Sequence, residues 1–99
     1  MPEQDQPQTA ARLLRIHGKV QGVWYRAGAQ AEATRLGLCG WVRNRLDGSV
    51  ETLLIGPLPA VDAFIGWAHQ GPPKARVARI DVSAADEEAV NGFEQRPTA

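Results

Sequence analysis

Residues 38–55 read LCGWVRNRLDGSVETLLI, and the fold turns on how they are parsed. Leu38–Arg45 and Ser49–Ile55 are both strand-like, and Leu46-Asp47-Gly48 between them carries the Asp-Gly signal of a tight turn, so the stretch reads as a hairpin. Upstream the period changes. From Trp24 to Leu36, the residues Tyr25, Ala29, Ala33 and Leu36 recur at spacings of four, four and three and share one helical face. Gly37 then stands where a left-handed C-terminal cap is needed, with Leu38 ready to pack back. Downstream, Gly56-Pro57 stops the second strand. Pro59 opens a helix to about His69, with Val61, Phe64, Ile65 and Ala68 on one face, and Gly71-Pro72-Pro73 ends it.

The outer elements complete the pattern. Arg12–His17 (RLLRIH) is a strand, and Gly18–Val23 (GKVQGV), with two glycines, is a loop leading into the first helix. Arg76–Ala84 alternates in polarity and suits a strand near a sheet edge. Asp86–Asn91 is a polar connection, and Gly92–Arg96 adds one short final strand. Met1–Ala10, Gln-rich with two prolines, reads as a flexible tail, which leaves residues 11–97 as one domain. The order strand, helix, strand, strand, helix, strand predicts an α+β ferredoxin-like sandwich (β-α-β-β-α-β), an antiparallel sheet with two helices on one face.

Composition narrows the function classes. The 99 residues are 43% hydrophobic and 22% charged, which suits one folded domain. No apolar run approaches the roughly 20 residues of a membrane span, and the polar start lacks the pattern of a secretory signal. The single cysteine, Cys39, excludes an internal disulfide and a four-thiolate zinc site. A cytoplasmic, monomeric protein is expected. The net charge of zero hides an uneven distribution: Arg12–Arg45 holds seven basic residues against one acid, Glu32, while Leu46–Ala99 holds four basic residues against eight acids. A local surplus of that kind concentrates a small anion near one surface. The absence of overall positive charge argues against nucleic-acid binding.

In the split topology the first two strands run the same way, so their C-terminal ends share one rim of the sheet. The glycine loop, the start of the first helix and Asn44 therefore converge. Free backbone N–H groups and the helix dipole make such a place favourable to anions. Arg26, in the first turn, can add a forked contact to phosphate oxygens. Taken alone, the same pattern also fits a tight turn and an ordinary surface arginine.

The run Gly18-Lys19-Val20-Gln21-Gly22-Val23-Trp24-Tyr25-Arg26 resembles the first signature of the acylphosphatase family. The run Gly40-Trp41-Val42-Arg43-Asn44-Arg45-Leu46-Asp47-Gly48-Ser49-Val50-Glu51 is similar to its second. Gly56-Pro57, Gly71-Pro72-Pro73 and Gly92-Phe93 also sit where that family has them, so the resemblance spans roughly Arg12 to Pro97. It implies the same fold and metal-free, cofactor-free hydrolysis of acyl phosphates. By motif match, Arg26 binds the phosphate and Asn44 orients the attacking water. Gly18, Lys19, Val20, Gln21, Gly22 and Val23 form the phosphate loop. Phosphate and other oxyanions are then expected as competing ligands. Trp24 and Tyr25 depart from the phenylalanine or other bulky residue often found there, and bear on substrate access.

The chemistry is compatible with so few functional groups. A carboxylate whose conjugate acid has a pKa of about 4 leaves without protonation. Positioning and stabilisation of the phosphoryl oxygens remain the main requirement. Other readings are weaker. Cys39 to Arg45 has the C-x5-R spacing of cysteine-dependent phosphatases, but the intervening residues read as a strand. His17 and His69 lack a second ligand at useful spacing. The tryptophans lack the strand pattern of RNA-binding sheets, although Trp41 could lie on the open sheet face. A phosphate-recognising module of the same fold, without turnover, is the alternative from another class.

Overall fold

The computed structural model describes residues 8–99, so most of the predicted tail (residues 1–7) lies outside the described residues. The elements are β1 (Thr9–Lys19), α1 (Tyr25–Arg35), β2 (Cys39–Asn44), β3 (Val50–Pro57), α2 (Leu58–Gln70), β4 (Arg76–Ala84) and β5 (Phe93–Gln95). The sheet order is β4-β1-β3-β2-β5. β4 lies at an edge, as its alternating sequence predicts.

Side chains alternate across the sheet with the strand period of two. Leu14 and Ile16 of β1, Val42 of β2, and Val50 and Leu54 of β3 face the helices. There they pack on Tyr25, Ala29 and Ala33 of α1 and on Val61, Phe64 and Ala68 of α2. Full burial of a side chain such as Leu14, Ile16 or Phe64 contributes roughly 1.5–3 kcal/mol. The alanines keep α1 close to the sheet. Its end follows the predicted cap: Leu38 N–H donates to Ala33 O at 2.9 Å and Gly37 N–H to Thr34 O at 3.1 Å.

Three details differ from the sequence reading. First, the sheet is mixed: β5 runs parallel to β2, while all other neighbouring strands are antiparallel. The chain leaves β4 near the start of β1, where Ala85 N–H donates to Ala11 O. It crosses to the start of β2, where Gly40 N–H donates to Gly92 O, and so enters β5 in the direction of β2. Second, β1 is longer than Arg12–His17 at both ends, taking Thr9 and Ala10 from the predicted tail. Third, Gly18 and Lys19 lie in the strand and not in the loop, paired with Val77 and Arg76 of β4 across a bulge. A Cβ on Gly18 would stand 2.1 Å from Arg76 O, so this glycine serves close strand approach and not a turn.

Trp41 does lie on the face away from the helices, but that face is not open. Ala11, Trp41, Leu53 and Ile55 form a second small core, with Ala85 and Val90 of the crossing segment packed on it. The Trp41 indole donates to Glu88 Oε1 at 3.2 Å, and the guanidinium groups of Arg43 and Arg96 stand 4.7 and 5.0 Å from its ring centroid. That tryptophan is a structural anchor with no exposed stacking surface.

Candidate active site

β1 and β2 run in the same direction with β3 between them, so the loop at residues 20–24 and the β2–β3 turn meet at one rim. Gln21 joins them. Its side-chain amide donates to Arg45 O and to Ser49 O, both at 2.8 Å. The turn is itself braced. Asp47 accepts from Ser49 N–H at 2.9 Å and from Ser49 Oγ at 2.6 Å, bonds that hold its carboxyl below the usual range. The buried Glu51 carboxylate takes Arg43 Nε at 2.8 Å, Arg45 Nη1 at 3.3 Å and Arg15 Nη2 at 3.8 Å. Asn44 therefore extends from a firmly held strand end.

The loop and the first turn of α1 present a row of donors. Among the described residues, no carbonyl accepts a hydrogen bond from the backbone N–H groups of Gln21, Gly22, Val23, Trp24, Tyr25 or Arg26. The helix has no acid in its first turn, and no side chain caps it. Its positive end is therefore unneutralised from within the described chain. Arg26 adds a full charge: among the described residues no carboxylate lies within ion-pair distance of its guanidinium. Asn44, likewise, makes no side-chain hydrogen bond among the described residues. Both line one cavity of about 400 Å³, together with Val20, Gly22, Trp24 and Gln95.

The basic surplus of Arg12–Arg45 is smaller in the folded chain than in the sequence. Arg15, Arg43 and Arg45 are paired with Asp47 and Glu51, and Arg35 with Glu32. Arg12, Lys19 and Arg26 form no ion pair among the described residues, and of these three Arg26 alone lines the cavity, at the helix end.

The predicted site residues separate into groups. Arg26, Asn44, Val20 and Gly22 meet at the cavity. Gly18 and Lys19 belong to β1, Val23 is buried in the core, and the Gln21 side chain is committed to the hairpin. Trp24 and Tyr25, adjacent in sequence, both border the cavity but differ in burial. The Tyr25 hydroxyl is buried and donates to Ala68 O at 2.7 Å, and burial pushes its pKa up, so it stays neutral. Trp24 is 80% exposed, with a left-handed backbone at φ 67°, which costs a non-glycine residue roughly 1–2 kcal/mol. Gln95 has no signal in the sequence. It reaches the cavity because β5 lies beside β2, and its amide donates to Gln30 Oε1 at 2.8 Å.

The competing chemistries lose their geometry. Cys39–Asn44 is an extended strand, and Cys39 packs with Trp41 on the far face of the sheet. No loop therefore cradles an anion around the thiol. His17 Nε2 lies 3.1 Å from Asp81 Oδ2 of β4, a cross-strand pairing remote from the cavity lining.

The Gln21 bridge can be tested. Loss of both hydrogen bonds in Gln21→Ala is expected to cost roughly 1–3 kcal/mol. For a domain of this size that is a melting point lower by about 5 °C or more. Thermal melts with and without phosphate should show a smaller phosphate-induced rise in the variant. An unchanged melting point and an unchanged phosphate response would mean that the bridge holds nothing.

The Acylphosphatase family model matches residues 13–95. A relative from Azoarcus sp. (strain BH72), an acylphosphatase, is 59% identical over 98 residues, covering 99% of each chain. Among solved structures, an acylphosphatase from Bacillus subtilis is 34% identical with a TM-score of 0.85, covering 90% of this chain and 99% of that one. One from Coxiella burnetii is 31% identical with a TM-score of 0.85, covering 89% and 93% respectively.

Proposed function

The chain belongs to the acylphosphatase family, and we propose that it works without a metal, by direct in-line attack of water. Hydrolysis of acyl phosphates to carboxylate and inorganic phosphate is the activity of the family. The proposal concerns how these residues perform it. Arg26 and the backbone donors of the loop bind the phosphoryl oxygens, and the Asn44 amide holds water behind phosphorus.

The observation that carries this reading is one cavity where Arg26 and Asn44, both without side-chain partners among the described residues, stand beside a run of unused N–H donors. Every group needed for phosphoryl stabilisation is thus free for a ligand. In the step itself, the water oxygen bonds to phosphorus as the bond from phosphorus to the acyl oxygen breaks. The carboxylate leaves with the bonding pair; one proton of the water stays on the attacking oxygen and the other passes to a phosphoryl oxygen, giving dihydrogen phosphate. A carboxylate needs no general acid to depart, so positioned donors and one positioned water suffice. The fork of Arg26 matches two phosphoryl oxygens as a lysine cannot.

The catalytic unit is then residues 11–97, acting as a cytoplasmic monomer on a small substrate, with phosphate and other oxyanions as competitive ligands. No helix among the described residues is long and apolar enough to cross a membrane.

The experiment is hydrolysis of benzoyl phosphate by the purified protein in excess EDTA. Turnover is expected to stay within about twofold of the rate without chelator, an interval well under 1 kcal/mol in barrier. Loss of activity on chelation, restored by a divalent cation, would overturn the metal-free mechanism. A folded protein that binds phosphate and turns nothing over would be a recognition module.

A further inference from the structure

Beyond phosphate recognition, Trp24 stands at the cavity with no task inside the fold. Among the described residues only three large hydrophobic side chains are exposed, Trp24, Leu46 and Val82, and only Trp24 lines the cavity shared by Arg26 and Asn44. Its indole makes no hydrogen bond, aromatic contact or cation contact among the described residues, whereas Tyr25 and Trp67 pack on each other.

Its backbone adds a second, independent observation. Trp24 is the one non-glycine residue with positive φ among those described, and it forms the N-cap of α1. N-caps ordinarily take β-region angles, and a left-handed residue here would be unstrained as glycine. An exposed indole gains little from burial, so the fold recovers neither the strain nor the exposure. Strain retained beside a binding site points to a use for the side chain.

The cavity has room for that use. Its volume is about 400 Å³. A water molecule takes about 30 Å³ in the liquid. A phosphoryl group and one water therefore leave much of the space open, and the indole borders it. Since Arg26 and the loop donors engage the phosphoryl end, the remaining part of an acyl phosphate is its acyl group.

We propose that Trp24 is a specificity-determining platform on which the acyl group stacks, so that the chain favours aromatic acyl phosphates over short aliphatic ones. This rests on the phosphate site proposed above. An indole offers a flat face to an aromatic ring and little to a methyl group. Leu46, though two residues beyond Asn44 and exposed, does not line the cavity and is no part of the platform.

The test compares benzoyl phosphate with acetyl phosphate for the wild type, Trp24→Gly and Trp24→Phe. Glycine removes the ring and suits the left-handed backbone, so Trp24→Gly is expected to melt no lower than the wild type. Its ratio of kcat/KM for benzoyl over acetyl phosphate is expected to fall about fivefold to tenfold, chiefly through a higher KM for benzoyl phosphate. Trp24→Phe should keep most of the preference. An unchanged ratio in Trp24→Gly, or an equal loss on both substrates, would overturn the platform while leaving the phosphate site intact. A folded wild type that hydrolyses neither substrate would overturn the phosphate-site reading and the platform with it.

Discussion

Arg26→Ala is expected to lower kcat/KM for benzoyl phosphate by about 10³-fold or more, through both weaker binding and slower turnover. Among the described residues the guanidinium is the only cationic side chain lining the cavity, and it belongs to the first turn of a helix whose N-terminal N–H groups are unused. Charge on the phosphoryl oxygens is present in the ground state and is redistributed as the acyl oxygen departs. An arginine that contacts them therefore acts on both kcat and KM. Removing it should leave the fold alone, because Arg26 forms no ion pair or side-chain hydrogen bond among the described residues. A melting point within a few degrees of the wild type is thus the control. Arg26→Lys should recover only part of the loss, since an ammonium restores charge but not the two-pronged geometry. Steady-state kinetics within tenfold of the wild type in Arg26→Ala would remove Arg26 from the phosphate site.

Asn44→Ala should behave differently: kcat falling about 10²–10³-fold with KM changed little. A group that orients the attacking water contributes once attack begins and adds little to holding substrate. The loss in rate is the price of a nucleophile that must find its own alignment. The backbone should tolerate the change. Asn44 is paired with Val50 of β3, its carbonyl accepts from Ala99 N–H at 3.1 Å, and the Glu51 network holds the strand on either side. Single-turnover and steady-state measurements on benzoyl phosphate would separate the two parameters. A raised KM at unchanged kcat would make Asn44 a binding residue and leave the water without a holder.

The elements were legible because their signals are local. Tyr25, Ala29 and Ala33 repeat at helical spacing, and all three are buried in α1. Arg76–Ala84 alternates, and those are the bounds of β4. The misreadings arise where a residue type has two uses. Gly18 signals a turn in sequence, yet here it accommodates a β4 carbonyl at a bulge, a contact between residues nearly sixty positions apart. The parallel pairing of β5 depended on which edge the chain returns to, and no local pattern encodes that choice. The basic surplus also misled in part, because Asp47 and Glu51, counted in the acidic half, neutralise arginines counted in the basic half.

By itself, the sequence determined the order of helices and strands, the ferredoxin-like topology and the two motifs that single out Arg26 and Asn44. Those follow from hydrophobic period, turn chemistry and motif spacing, all properties of neighbouring residues. Only the tertiary structure decided that Gln21 serves the hairpin, that Tyr25 is buried in the core while Trp24 stays exposed at the cavity, and that Trp41 is covered. The physical reason is the same for each. Whether an amide or an aromatic ring is occupied or free depends on partners brought close by folding, and residues distant in the chain supply them.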